Sequence, residues 1–300
     1  MNLPLWIAAR YLRTRRHSGF ITLLTGISIA GVALGVTALL TVLAVMNGFV
    51  GEIQSRITGT DAHIVLLGAE TGGVMRPEPL LAKLRGQPGV AGVAPFVYAK
   101  TMAFREGLTE GMVIKGVDLA LERGVTTIAQ HIEPPRVSMP VHTEGGLPGV
   151  VLGGELPARL GARVGDSVLL ATLMPSSSGA STLGYAPKLR PFRIVGLFSS
   201  GLYTYDSSFG FRSIPAAQEF FNLGTSVTGI EIRLTDMFEA PLVANRLLRE
   251  LGDPTLRSNN WIDLNRNLFT WMKLEKAVMF VILALIVLVA AFNIVSTLFM

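Results

Sequence analysis

The 300-residue chain has no cysteine, and two long parts of it have no charged residue. Without cysteine, the chain can form no disulfide, thiolate metal site or cysteine nucleophile. Charged residues make up 16% of the sequence, whereas about a quarter is usual in globular domains. The missing charge is concentrated, because none lies between Arg16 and Glu52 and none follows Lys276. This distribution excludes an ordinary cytosolic enzyme.

Sequence motifs of catalysis and nucleotide binding are also missing. The chain has no GxxxxGKS/T phosphate-binding loop, no HExxH zinc motif and no GxSxG nucleophile motif. Its four histidines are scattered, without the partner spacing of a zinc site. Lysine and arginine do not cluster in the middle of the chain as they would on a nucleic-acid-binding face. The sequence therefore predicts a non-catalytic chain with no metal, no cofactor of its own and no nucleic-acid partner.

The two uncharged stretches are long enough to cross a membrane. Residues 20–46 would form a helix of about 40 Å, and residues 277–300 are nearly as long. A cleaved signal peptide is the competing interpretation of the first stretch, but its apolar region would span only about 7–15 residues. We therefore predict transmembrane helices at 20–46 and 277–300.

Basic residues outside these stretches indicate the orientation of the chain. Residues 1–19 contribute +4 of the net charge of +5, whereas residues 52–276 carry 22 basic and 21 acidic residues. Because positively charged flanks stay in the cytoplasm, we predict a cytoplasmic N-terminus. Residues 1–19 are predicted to be an amphipathic elbow on the inner membrane surface, with a disordered basic tail as the alternative. The anchoring residues would be Arg10, Arg13, Arg15 and Arg16.

Two glycines in the first stretch, Gly31 and Gly35, are one helical turn apart. Small residues at this spacing let a second helix approach closely. The plain alternative is that glycine is simply common in membrane helices. We predict that Gly31 and Gly35 form a helix-packing surface.

Residues 47–276 are predicted to form one extracytoplasmic domain of mixed α/β structure. Short β-branched and aromatic runs alternate with short amphipathic segments and with Gly and Pro turns. Residues 120–148 are poorly patterned and are interpreted as a loop or insertion between two lobes. The fold class is thus an α+β membrane protein, with transmembrane helices flanking a large mixed α/β domain. Strands are predicted at 62–67, 95–104, 112–117, 150–152, 167–172, 192–198 and 227–234. Helices are predicted at 77–85, 154–160, 215–223, 236–251 and 263–276.

One connection between strands, residues 174–192, is unusually long and reads MPSSSGASTLGYAPKLRPF. Structureless connections beyond about 12–15 residues are usually functional or disordered. The plain interpretation is a mobile surface loop. The more specific interpretation is a protruding hairpin at about 173–192 that docks a partner through apolar and basic side chains.

Five blocks of the sequence, in this order, resemble one family. They are residues 10–36 (RYLRTRRHSGFITLLTGISIAGVALGV), 42–49 (VLAVMNGF), 152–170 (LGGELPARLGARVGDSVLL), 195–211 (VGLFSSGLYTYDSSFGF) and 274–300 (LEKAVMFVILALIVLVAAFNIVSTLFM). Together they resemble the permease subunits of the lipoprotein-releasing ABC transporter, the LolC/LolE family.

The resemblance implies a MacB-like ABC permease architecture with four membrane helices and a periplasmic domain between the first two. The third and fourth helices would follow Met300, so the chain is expected to be a fragment. The implied function is ATP-driven extraction of triacylated lipoproteins from the outer leaflet of the Gram-negative inner membrane, for sorting to the outer membrane. The implied mechanism is mechanotransmission, in which the permease carries the motion of the ATPase to the periplasmic domain. The implied partners are an ABC ATPase dimer that binds ATP and magnesium, a second permease (homologous or identical), a periplasmic lipoprotein carrier, the lipoproteins and inner-membrane lipids.

The resemblance also implies that the hairpin is a hook that docks the carrier. Ala171 stands at the base of the hook, where relatives carry a basic residue, so docking is expected to rely more heavily on Lys188 and Arg190. Leu189 stands where relatives can have a polar residue. The hook residues are Pro175, Leu183, Gly184, Tyr185, Lys188, Leu189 and Arg190.

Two alternatives remain at this point. Another MacB-type permease, for efflux or cell division, would lack the hook and bind a different periplasmic partner. A membrane receptor with a periplasmic sensor domain would share the topology, but would continue into a cytoplasmic signalling module.

Overall fold

The computed structural model describes residues 6, 19–68, 73–135, 137, 139, 146–175 and 185–299. The chain divides into two compact units. The helical unit comprises Met1–Gln54 and Asn265–Met300, and the α/β unit comprises Ser55–Leu264. The four predicted anchoring residues lie outside the described residues, and they are Arg10, Arg13, Arg15 and Arg16.

The described elements alternate between short strands and short helices, with one long helix at each end. The helices are Gly19–Thr60 (α1), Glu78–Arg85 (α2), Leu119–Glu122 (α3), Glu155–Arg159 (α4), Tyr203–Asp206 (α5), Ile214–Phe221 (α6), Ala240–Leu251 (α7), Trp261–Leu264 (α8) and Arg266–Phe299 (α9). The strands are Ile64–Gly68 (β1), Val90–Arg105 (β2), Leu108–Val117 (β3), Ile132–Glu133 (β4), Gly149–Gly153 (β5), Ser167–Pro175 (β6), Tyr185–Phe198 (β7), Phe209–Ser213 (β8), Gly229–Leu234 (β9) and Leu256–Asn260 (β10). Short 3-10 helices lie at Ile128–Gln130 and Met237–Glu239.

The helical unit contains the two predicted membrane segments. Ile29–Met46 in α1 and Phe269–Phe292 in α9 have mean hydropathies of 2.4 and 2.5, and their side chains are almost entirely unburied. Both helices are therefore long and apolar enough to cross a membrane. The predicted helix at 263–276 is largely confirmed, because α9 runs without a break from Arg266 to Phe299.

The strands of the α/β unit close into a ring. The sheet order is β10-β1-β9-β2-β3-β8-β5-β7-β4, and β6 pairs with both β2 and β7. The pairings β2-β3-β8-β5-β7-β6-β2 therefore form a closed circuit. Strand β2 connects this ring to the remaining sheet, since its first part pairs with β9 and its last part with β6.

A hydrophobic cluster fills the space among the ring strands. Successive side chains of a strand point to opposite faces, so every second residue contributes to the cluster. The rings of Phe192 in β7 and Phe220 in α6 meet edge to face with centroids 5.0 Å apart, a favourable arrangement for aromatic pairs. The buried strand residues of the cluster include Ala103, Met112, Ile114, Val150, Leu152, Leu170 and Ile194.

The interpretation of residues 120–148 as a loop or insertion is wrong in part. This stretch includes part of α3, a 3-10 helix and β4, and strands from both sides of it build the same ring. The side chains of Val125, Ile128 and Ile132 are buried. Each element spans only two to four residues, too few for a periodic pattern to show in the sequence.

Most other predicted elements are confirmed, and several strands extend further than expected, β2 and β3 among them. Asp236 caps the short 3-10 helix Met237–Glu239 that leads into α7, because its carboxylate accepts the amide of Phe238 at 2.8 Å. Strand β6 continues to Pro175 and β7 begins at Tyr185, within the predicted long connection. Residues 185–192 of β7 pair with β6 alone, so the prolines in that part disturb no second ladder.

Candidate functional site

The candidate functional site is the hairpin formed by β6 and β7. The two strands pair continuously from Ser167–Arg193 to Pro175–Tyr185. Strand β2 pairs with β6 only as far as Ala171, and β5 pairs with β7 only from Arg193 onward. Beyond these points the hairpin is a two-stranded ribbon within the described part of the chain. Residues 176–184, which include the predicted hook residues Leu183 and Gly184, lie outside the described residues.

One face of the hairpin is apolar and exposed. Residues directly opposite each other in antiparallel strands share a face, and Ala171 pairs with both Leu189 and Met102. Leu173 is 69% exposed and Leu189 is 52% exposed. We call this surface the apolar stem face, and its residues are Met102, Ala171, Leu173, Pro187, Leu189 and Pro191.

The opposite face of the hairpin binds α6 through its two basic residues. The Lys188 ammonium donates to the carbonyl oxygens of Glu219 and Phe220 at 3.1 and 2.8 Å. A cation is favoured there, because the last carbonyls of a helix carry partial negative charge. The Arg190 guanidinium contacts the Glu219 carboxylate at 2.6 Å. Both basic residues predicted to contact a partner are therefore held within the α/β unit.

A buried arginine supports the root of the hairpin. The Arg212 guanidinium stacks on the ring of Phe192, 4.2 Å from its centroid. The Arg212 Nε donates to the carbonyl oxygen of Gly149 at 3.2 Å. Burial, with a smaller effect of the nearby Arg190 charge, lowers the pKa of Arg212 to about 9. The hairpin thus starts from a base that is fixed by stacking and hydrogen bonding.

The structure separates the predicted hook residues by face. Leu189 lies on the apolar stem face, whereas Lys188 and Arg190 lie on the face toward α6. Pro175 and Tyr185 form the last described pair of the stem. Sequence reasoning missed Glu219, Leu173 and Met102. Strand alternation from the buried Leu170 would have placed Leu173 on the exposed face, but nothing local indicates that Glu219 meets Arg190.

A second polar cluster is fully buried on the sheet. The Lys115 ammonium lies 3.2 Å from the Glu122 carboxylate and 2.7 Å from the Glu231 carboxylate. Burial raises the pKa of Glu231 to about 8, since Lys115 offsets it only partly and Glu122 adds a second negative charge. Burial alone would lower the pKa of Lys115, but the two carboxylates raise it above its usual value. One lysine cannot neutralise both carboxylates, so the cluster holds a proton more tightly than exposed carboxylates do.

The predicted helix-packing glycines differ in their surroundings. A Cβ atom at Gly35 would lie 3.8 Å from two side-chain carbons of Ile286 in α9, whereas one at Gly31 would meet nothing within 4 Å. Gly35 therefore faces the other long helix, and Gly31 faces open space in the described chain. That Gly31 packs against a further helix remains a prediction. Among the described residues, no group of three or more His, Cys, Asp and Glu side chains is arranged to hold a metal ion.

Comparisons with known proteins place this geometry in context. Residues 25–250 match the family model described as the MacB-like periplasmic core domain. The lipoprotein-releasing system transmembrane protein LolC of Neisseria meningitidis is 34% identical over 306 residues, which cover 100% of this chain and 70% of the relative. The protein named LolE of Haemophilus influenzae is 28% identical over 305 residues, covering 100% and 71%. The solved periplasmic region of MacB from Actinobacillus actinomycetemcomitans is 13% identical, with a TM-score of 0.44 over 71% of this chain and 95% of that one.

Proposed function

This chain belongs to the LolC/LolE family of lipoprotein-releasing ABC permeases and carries a MacB-like periplasmic core domain, and from this membership we propose how it works. It extracts lipoproteins from the outer leaflet of the inner membrane and passes them to a periplasmic carrier for sorting to the outer membrane. The chain acts as a non-catalytic subunit. ATP and magnesium bind to a partner ATPase dimer, and a second permease, homologous or identical, completes the transporter.

In this proposal α1 and α9 cross the inner membrane and the α/β unit lies in the periplasm. The apolar segments of both helices support the crossing. The arginines of residues 1–19 favour a cytoplasmic N-terminus, because positive flanks are retained on that side. The relatives are themselves named transmembrane proteins.

The transport step needs work from ATP because lipid chains are costly to expose to water. Each CH₂ group taken out of the bilayer costs about 0.8 kcal/mol, and the proposed substrates carry three acyl chains. The partner ATPases act in the cytoplasm, so their motion has to reach the periplasm through the permease. Helix α1 has 42 residues, about twice what crosses a membrane, and it is suited to carry that motion.

The observation that carries the docking proposal is the exposed apolar face on a two-stranded hairpin. Large apolar side chains rarely line up on an exposed strand pair unless another molecule covers them. Leu173 and Leu189 lie on this face, where the described residues of β6 and β7 carry no charge, and Lys100 of β2 borders it two positions from Met102. Lys188 and Arg190 are engaged with α6, so we assign them to orienting the hairpin. The carrier then binds the apolar stem face.

Aspartate substitutions on the apolar stem face test this proposal. Leu173→Asp and Leu189→Asp should each reduce carrier capture by the assembled transporter about tenfold or more, since a buried leucine side chain contributes about 1.5–3 kcal/mol. Val164→Asp is the matched control, because Val164 is also 52% exposed but lies outside the hairpin stem. Capture is measured by photo-crosslinking from position 187 on the same face, and by transfer of lipoprotein to the carrier. Unchanged transfer in both leucine variants would exclude the stem face as the docking surface.

A further inference from the structure

The last residues of α1 and those that follow them accept hydrogen bonds from several parts of the fold. We call residues 59–63 the anchor segment. It belongs entirely to the α/β unit, and three of its residues accept five hydrogen bonds. The Gly59 carbonyl accepts hydrogen bonds from the Thr127 amide at 2.7 Å and from the Thr127 hydroxyl at 2.9 Å. The Asp61 carboxylate accepts one from the Tyr205 hydroxyl at 2.5 Å. The His63 ring accepts one from the Leu234 amide, and the His63 carbonyl accepts one from the Trp261 amide, both at 3.1 Å.

The donors come from four different parts of the fold. Thr127 precedes the first 3-10 helix, Tyr205 lies in α5, Leu234 ends β9, and Trp261 begins α8. The anchor segment is therefore held from several sides, and movement of the segment strains every donor. The bond from Trp261 also joins the segment that leaves α1 to the segment that leads toward α9.

The surroundings of the anchor segment make these bonds hard to replace. Asp61 is half-buried, and this burial raises the pKa of its carboxyl although Tyr205 and the Lys115 charge oppose the rise. Asp61 in turn raises the pKa of Tyr205, after burial itself. These groups are partly shielded from water, so each bond counts for more than on a fully exposed surface.

We propose that the anchor segment is the joint through which α1 moves the α/β unit during transport, with Tyr205 and Thr127 as its positioning residues. This inference rests on the proposed function, because the joint transmits force only if the partner ATPase moves α1. Five hydrogen bonds to four parts of the fold give the segment the stiffness that a joint needs. If one of these hydrogen bonds is lost, the anchor segment deforms when α1 moves. ATP is then hydrolysed without movement of the α/β unit.

Hydrogen exchange on the full chain in lipid nanodiscs tests whether the joint acts as one unit. Tyr205→Phe removes a single hydroxyl, and it should speed exchange of the Thr127, Leu234 and Trp261 amides about fivefold, the change expected for one buried hydrogen bond. Tyr203→Phe is the matched control, because Tyr203 lies in the same helix and is 69% exposed. The exchange of Val151 in the ring core should not change. If these three amides exchanged equally fast in Tyr205→Phe and Tyr203→Phe, the proposal that the anchor segment acts as one unit would be wrong.

Lipoproteins released per ATP hydrolysed, in the transporter assembled with its partner subunits, test the role of the joint. Tyr205→Phe and Thr127→Val should lower this ratio about fivefold while ATP hydrolysis continues. Asp61→Asn and Thr127→Ser keep an acceptor and a donor in place and should preserve it.

The outcomes of the release experiment separate the two proposals. A wild-type ratio in Tyr205→Phe, together with faster exchange at the joint, would overturn the role of the joint in transport. If the wild-type transporter released no lipoprotein with ATP, the proposed function would fail, and the transport role of the joint with it. The exchange measurement would still decide whether residues 59–63 are held as a unit.

Discussion

Two of the ion pairs in the α/β unit that join a basic side chain to a glutamate differ in burial rather than in distance. Lys115 lies 2.7 Å from Glu231, and Arg190 lies 2.6 Å from Glu219. The Lys115 side chain is only 7% exposed, whereas the Arg190 side chain is 26% exposed and its partner 45%. Short contacts alone therefore do not show which pair matters for stability.

Burial changes what is lost when a partner is removed. An exposed pair typically contributes about 0–1 kcal/mol, because water solvates whatever charge remains. Removing one partner of a buried pair typically costs about 3–5 kcal/mol, because the remaining charge is stranded in a poorly polarisable environment. The Lys115 cluster is also unbalanced, with one cation for two carboxylates, whereas Arg190 meets one. The buried cluster should therefore respond to mutation and to pH, and the hairpin pair to salt.

The largest expected effect is that of Lys115→Met. It leaves Glu122 and Glu231 buried without their cation, and it should lower the free energy of unfolding by about 3–5 kcal/mol. Chemical denaturation of the full chain in detergent measures the loss. The control combines Lys115→Met with Glu122→Gln and Glu231→Gln, which removes every charge of the cluster and should recover part of the stability. A loss no larger than that of Arg190→Gln would contradict the comparison.

An intermediate effect is expected from pH. The pKa of Glu231 rises from 4.5 to about 8 on folding, so the folded state holds this proton more tightly than the unfolded chain. The resulting stability is complete below about pH 4.5 and is lost as pH rises to about 8, by at most about 1.4 kcal/mol per pH unit. Glu231→Gln removes the titrating group and should flatten the curve of stability against pH across this range.

Asp61 is a second carboxyl that should contribute to this pH dependence. Its raised pKa acts in the same direction, so Asp61→Asn should flatten the acidic part of the curve. If Glu231→Gln kept the wild-type slope, the proton would reside elsewhere in the cluster.

The smallest expected effect is that of Arg190→Gln. The variant should lose at most about 1 kcal/mol of unfolding free energy, since the pair with Glu219 is partly solvated. Salt at about 1 M should remove the difference between variant and wild type, because it screens exposed charges. The same salt should leave the effect of Lys115→Met largely intact. A salt-insensitive loss of several kcal/mol at Arg190 would mean that the hairpin pair behaves as a buried one.

Part of this fold could be predicted because its patterns are local. The two uncharged stretches define the long helices, and alternating side chains define β2, β3, β6 and β9. Strand β10 was missed because it reads LRSNN, a polar sequence without alternation. It forms the edge of the sheet beside β1, where only one side of the strand needs a partner.

The Lys115 cluster and the Arg190–Glu219 pair could not be predicted in the same way. Lys115 lies in a strand where a lysine normally faces solvent, and its partners are 7 and 116 positions away. Lys188 and Arg190 lay in a predicted loop, where charged side chains are usually solvated. Their engagement with α6, 29 to 32 positions away, depends on ring closure. Leu189 could be assigned to the hairpin from its position in the sequence alone, and the sequence analysis did so.

The pairing of β1 with β10 has a consequence for how such permeases diversify. The first and last strands of the α/β unit form one antiparallel pair, with Ile64 opposite Asn260, so these two positions are about 5 Å apart. Everything between them is a cassette inserted at a single point of the chain. Cutting there and joining in another domain with neighbouring ends would build a chimaera without stretching either connection.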